Sequence, residues 1–234
     1  MFFFHGTRKP NFKNINNLNY NDYWDHQCPA LRDKLREREY IFIDLIKPKS
    51  KVLDIACGMS PFLIKLKEKK NCEVMAYDIS SKAVEEQKKH GIRAETKDIS
   101  SLDFSLQENF DYVVMSEIIE HLVYPEKLIS ALKNRTKYFL ISLPNSGFYR
   151  YRLGLLFRGR FFTQWAYHPA EHLRFWTHID FMDWLAALGL EVEQSVASNG
   201  LNIGPVKLYN LWLNLFGHQI VYLCRTNNNE NSSN

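Results

Sequence analysis

The ten residues Lys51–Ser60, KVLDIACGMS, constrain this chain more than any other stretch. An apolar strand-like run, Val52–Leu53, meets an acid, Asp54, and passes into a turn rich in small residues, Ala56–Cys57–Gly58–Met59–Ser60. Pro61 suits the first turn of a helix, where its missing N–H would be unpaired anyway. Phe62, Leu63 and Leu66 continue with helical spacing. Strand, tight turn and helix open a nucleotide-binding α/β unit. Small residues admit a ligand close to the backbone, and a helix N-terminus favours polar or anionic groups. A plain βα turn without a ligand is the competing reading.

The stretch resembles the first motif of class I S-adenosylmethionine-dependent methyltransferases, VLD-x-G-C-G-x-G. Asp54, Cys57 and Gly58 match it, while Ala56 and Ser60 stand where that motif has glycines. The resemblance implies S-adenosylmethionine as cofactor, with Asp54, Ala56, Cys57 and Gly58 at its turn.

Downstream, Glu73–Tyr77 reads as a second strand ending on Asp78 and Ile79. An acid at that strand end accepts hydrogen bonds from both ribose hydroxyls in dinucleotide folds. Capping of the next helix, Lys82–His90, is the alternative, although Ser80 and Ser81 can cap it themselves. Ile92–Glu95 is a short strand, followed by Asp98 and Ile99, which the resemblance places beside the adenine. Phe110–Met115 reads as a buried parallel strand, and the resemblance sets its end, Ser116, facing the methyl donor. Glu117, Glu120 and His121 follow at helical i, i+3, i+4 spacing. HExxH spacing is absent, and a hydrogen-bonded tie of Glu120 and His121 to the core is preferred to an ion, so no metal is assigned. A helix from Pro125 to Leu132 and a fifth strand, Tyr138–Leu143, complete this part.

A length of 234 residues, 45% of them apolar, suits one α/β domain over residues 50–225. The first 49 residues read as an arm and a cap helix over Pro29–Ile46, with Tyr23 and Trp24 either covering the bound cofactor or substrate or packing under that helix. Residues 226–234, nearly all Asn and Ser, read as a disordered tail. A net charge of +4 permits an anionic substrate without arguing for nucleic acid. Four cysteines without CxxC or zinc spacing read as reduced thiols in a cytoplasmic protein. Neither a signal peptide nor a spanning segment of about 18–20 apolar residues is expected.

After strand five the alternation breaks. Residues 146–177 interleave Arg150, Arg152, Arg158, Arg160 and Arg174 with aromatics, and carry His168 and His172. This reads as a helical lid or substrate-recognition insertion at the carboxyl ends of the strands, its arginines matching carboxylate or phosphate. Solvated arginines on a helical hairpin are the alternative. NSGFYRYRLGLLFRGR, Asn145–Arg160, resembles a segment of the MetW-like proteins, as do His172–Leu173, Thr177 and Asp180–Phe181. That resemblance implies a partner role beside a homoserine acyltransferase rather than methyl transfer.

Asp180–Leu188 reads as a helix, Glu191–Ala197 as strand six, Leu201–Phe216 as a core-packing helix, and Gln219–Arg225 as an antiparallel edge strand. The fold expected is α/β, a Rossmann-like doubly wound, mostly parallel seven-stranded sheet. Methyl transfer to an O or N atom of a small anionic metabolite, such as a surface-polysaccharide precursor, is the first functional expectation. His168, His172 and Glu117 are the candidate bases. A nucleic-acid methyltransferase is disfavoured, since Ser116–Ile119 carries no Asn/Asp-Pro-Pro-Tyr/Phe.

Overall fold

The apolar runs become strands of one sheet in the computed structural model, which describes residues 24, 30–101, 103–160 and 172–226. The strands are β1 (Lys51–Ile55), β2 (Glu73–Asp78), β3 (Arg93–Thr96), β4 (Phe110–Ser116), β5 (Thr136–Pro144), β6 (Leu190–Gly200) and β7 (Gly217–Thr226). Their spatial order is β3-β2-β1-β4-β5-β7-β6. The first five run parallel, and β7 is antiparallel to both β5 and β6.

Side chains alternate across the sheet with a period of two. Val52, Val74 and Val114 pack on one face with Phe42 of α1 (Glu37–Leu45), Leu63 of α2 (Phe62–Lys70) and Val84 of α3 (Ser81–Lys89). Leu53, Met75 and Val113 pack on the other with Leu128 of α4 (Pro125–Lys133) and Phe181 of α6 (His178–Ala187). Between them α5 (Tyr149–Arg158) follows β5. Ile55 pairs with both Tyr77 and Met115, so β1, β2 and β4 end level. That edge, between β1 and β4 where the winding reverses, is where such sheets bind ligands.

Three expectations need correction. The antiparallel strand lies inside the sheet rather than at its edge. Ile220, Val221, Tyr222 and Cys224 of β7 are all buried, as an inner strand requires, whereas β6 is half exposed and takes the edge. The first helix begins at Glu37, not Pro29, because Arg36 is extended and the Glu39 carboxylate accepts its N–H at 2.7 Å. Residues 201–216 are no single helix. They form a two-residue-stranded hairpin, a 3-10 turn (Leu208–Asn210) and a short helix α7 (Leu213–Phe216), broken at Gly204–Pro205 where Gly204 has φ +56°.

Thr226 belongs to β7, its hydroxyl donating to the Thr136 carbonyl at 2.9 Å. The tail 227–234, Tyr23 and His168 lie outside the described residues. Among the described residues, no helix is long and apolar enough to cross a membrane.

Candidate functional site

At the level ends of β1, β2 and β4 lies a cavity of about 910 Å³, within the range of small-molecule sites. Part of its wall is built by the turn after β1. The Ala56 N–H donates to the Tyr77 carbonyl at 2.8 Å, fastening the turn to β2. Ala56 sits at φ +59°, a conformation that costs a non-glycine residue about 1–3 kcal/mol and is retained mostly at functional sites. Gly58 follows at φ +52°, and a Cβ there would stand 2.6 Å from Trp24 Cζ2. Only glycine lets the indole approach the turn. Gln87, fully buried on α3, donates to the carbonyls of Gly58 (3.1 Å) and Ser60 (2.8 Å) and fixes the turn from below.

Asp78 ends β2 and is buried beside this turn. It accepts from the Gly58 N–H and the Ser80 N–H, each at 2.9 Å. Burial raises its pKa against those hydrogen bonds. Capping of α3 falls to the Ser80 hydroxyl, which accepts from the Ala83 N–H at 3.4 Å. Asp54 is also buried, and its Oδ1 has no partner among the described residues. Burial, then the charges of Glu39 and Asp78, push its pKa well up. A cation in the cavity would restore its charge. Asp98, more exposed, accepts from Ser100 N–H (2.9 Å) and Oγ (2.6 Å), closing a local turn.

The structure thus brings Trp24, Asp54, Ala56, Cys57, Gly58, Asp78, Ile79, Asp98, Ile99 and Ser116 to one cavity wall, with Glu117 and His172 on the same cavity. It does not bring Arg150, Arg152, Arg158, Arg160 or Arg174 there. Arg152 donates to the Gly147 carbonyl at 2.5 Å, and Arg174 to the Val123 carbonyl at 2.5 Å. Arg150 lies over Tyr149, 5.8 Å from the ring centroid.

The arginines that line the cavity are Arg32 and Arg36, from the segment leading into α1, and Arg38 in its first turn. Arg32 pairs with Glu39. Arg38 donates to Ser116 Oγ at 2.9 Å and Gln219 Oε1 at 3.4 Å. Burial, then Arg38 and Arg32, lower the Arg36 pKa. Among the described residues neither Arg36 nor Arg38 forms an ion pair. Nothing in the sequence marks these groups as convergent with β4 and β7. Only Glu39, three residues after Arg36, signals the local cap.

Past Ser116, Glu117 sits at φ +55°. Its Oε2 accepts from Gln219 Nε2 at 2.9 Å, and its Oε1 is buried without a partner among the described residues. The expected helical face of Glu117, Glu120 and His121 does not form, because Ile119–His121 is a 3-10 turn. His172 packs against His121 instead, ring centroids 4.7 Å apart. Burial, then His121, lower its pKa to about 3.

The family model described as methionine biosynthesis protein MetW matches residues 36–224. No curated protein sequence matches the chain. Solved structures share its fold at low identity. One is from the Haloferax volcanii complex of the Trm112 methyltransferase activator with a candidate methyltransferase, 13% identical with a TM-score of 0.59, covering 81% of this chain and 89% of that one. An S-adenosylmethionine-dependent methyltransferase from Clostridium acetobutylicum is 16% identical with a TM-score of 0.54, covering 88% and 97%. The [4+2]-cyclase SpnF is 10% identical with a TM-score of 0.56, covering 88% and 90%. The fold is therefore that of the methyltransferases, and the same architecture carries a different named reaction in SpnF.

Proposed function

This chain belongs to the methionine biosynthesis protein MetW family, and from that premise we propose that its cavity binds S-adenosylmethionine and that it methylates an O or N atom of a small anionic metabolite bearing phosphate or carboxylate. A surface-polysaccharide precursor is one acceptor of that class. The observation that carries the reading is one cavity lined both by the Gly58 turn with Asp78 and by Arg36 and Arg38.

The residues present fit the cofactor. Gly58 keeps the turn bare of a side chain where Trp24, on the same cavity, packs against it, and Asp54 holds an unpartnered oxygen for a cationic ligand. When bound, S-adenosylmethionine supplies a methyl group made electrophilic by its sulfonium. Asp78 retains lone pairs for the ribose hydroxyls beyond its two backbone bonds. Arg36 and Arg38 hold the acceptor's anion. Glu117 Oε1 takes the proton of the attacking group. The chain's main contribution is alignment.

Release of S-adenosylhomocysteine from the full chain, with phosphorylated and carboxylated metabolites as acceptors, tests this. Arg36→Met is expected to raise KM about tenfold, the loss of one charged hydrogen bond. Cofactor binding without turnover on any acceptor would refute transfer.

One feature favours a second reading. Helix α5 leaves Leu155, Leu156 and Phe157 at 50%, 72% and 73% exposure, an apolar surface of the kind that marks protein contacts. In that reading the chain is a non-catalytic, ligand-binding partner that activates a homoserine acyltransferase. Co-purification with the acyltransferase, lost in Phe157→Asp, would support it.

A further inference from the structure

A second group of side chains meets beside the cavity, two of them in its wall. Glu120, His121 and His172 each offer one ligand atom, and those atoms lie within 4.8 Å of one another. They come from distant parts of the chain, the turn after β4 and the segment entering α6. Backbone hydrogen bonds hold the two segments together. The Glu120 carbonyl accepts from the N–H groups of Leu173 (2.9 Å) and Arg174 (3.1 Å). The Arg174 guanidinium donates to the carbonyls of Leu122 (3.4 Å) and Val123 (2.5 Å).

The Glu120 carboxyl is 1% exposed, and neither oxygen has a hydrogen-bond partner among the described residues. His172 Nδ1 is likewise buried without one. Each such buried group costs about 1–3 kcal/mol. A hydrogen-bonded tie between loop and core would have satisfied the carboxyl, and it does not.

We propose that Glu120, His121 and His172 form a binding site for a divalent first-row transition ion of the zinc or manganese class. Two imidazoles and one carboxylate are a donor set for such ions, and three protein ligands leave a position open. Bonds of about 2.1 Å place tetrahedral ligand atoms about 3.4 Å apart, so side-chain rotations that move each atom by about 1 Å close the set. His121 and His172 line the cavity, which turns the open position toward its contents. There the ion takes water or an oxygen of the acceptor. That last step rests on the methyl-transfer reading, whereas the ion site does not.

The test uses full-length protein stripped with a chelator, without S-adenosylmethionine. Co²⁺ alone is titrated by visible d–d absorption and Zn²⁺ alone by calorimetry. The expected result is one equivalent bound with a Kd at or below about 10 μM, weakened at least about 100-fold by Glu120→Gln and by His172→Gln. His90→Gln, which removes an imidazole at the end of α3, leaves the affinity unchanged. Less than one equivalent bound at about 100 μM metal, or affinities in both variants within about threefold of wild type, overturns the site. Should a variant fail to fold, X-ray absorption of the Zn²⁺ complex of the wild type decides. Two imidazoles in the coordination sphere support the site, and a sulfur-containing or imidazole-free sphere overturns it. Titrating the stripped protein with S-adenosylmethionine separately tests the cofactor reading, so the two fail independently.

Discussion

Replacing Asp78 with alanine separates holding the turn from holding a ligand. The carboxylate is 5% exposed and accepts from two backbone N–H groups at 2.9 Å each. Alanine leaves both donors unpaired. A hydrogen bond to a charged group contributes about 1.5–3 kcal/mol, but the donors border a cavity that admits water, so a net loss of about 2 kcal/mol is expected. For a domain of this size that lowers Tm by about 4–8 °C, well short of the roughly 5–15 kcal/mol that hold a domain folded. The ligand loses more. Two ribose hydroxyls donating to the carboxylate contribute at least about 3 kcal/mol together, or about 100-fold in Kd. Calorimetric titration with S-adenosylmethionine, beside thermal unfolding, reads both numbers. A variant with the lowered Tm but a Kd within about threefold of wild type would show that Asp78 holds the turn and nothing else.

Gly58→Ala adds a Cβ 2.6 Å from Trp24 at φ +52°. A loss of about 1–2 kcal/mol and a changed tryptophan emission are expected, and unchanged fluorescence would remove the indole from the turn. His218 gives a pH signature. Its Nε2 accepts from the Tyr151 hydroxyl at 2.7 Å, its Nδ1 donates to Asn199 Oδ1 at 3.0 Å, and burial lowers its pKa from 6.5 to about 4. The unfolded chain takes up this proton first, so stability is whole above about pH 6.5 and falls by up to about 3 kcal/mol toward pH 4. His218→Gln should flatten that loss in urea melts at pH 7 and 4.5, and parallel losses in the two proteins would refute it.

What the sequence disclosed follows from how local each cause is. The parallel strands were legible because strands buried on both faces read as apolar runs, as Val52–Leu53 and Phe110–Met115 do. Asp54 and Asp78 were legible because chemistry in this fold gathers at strand ends. Leu31 and Leu35 fit helical spacing, yet the Glu39–Arg36 cap starts the helix at Glu37 and leaves Arg36 extended. The apolar content of Leu201–Phe216 hid the break at Gly204–Pro205, and Leu211 and Trp212 are exposed rather than core. The arginines of residues 146–177 drew attention by density, but Arg152 and Arg174 are occupied with backbone carbonyls. Arg38 reaching Ser116, and His172 reaching His121, join segments 78 and 51 residues apart, and no local pattern announces such meetings.

The central claim is that the turn at Gly58 and the acid at Asp78 seat an adenosyl sulfonium. A crystal structure of the full chain grown with S-adenosylmethionine tests it most directly. The ribose hydroxyls are expected on the Asp78 carboxylate, with the methyl group directed toward Ser116 and Glu117. A cavity holding only solvent at saturating ligand, or the adenosyl group bound away from Asp78, would contradict the account.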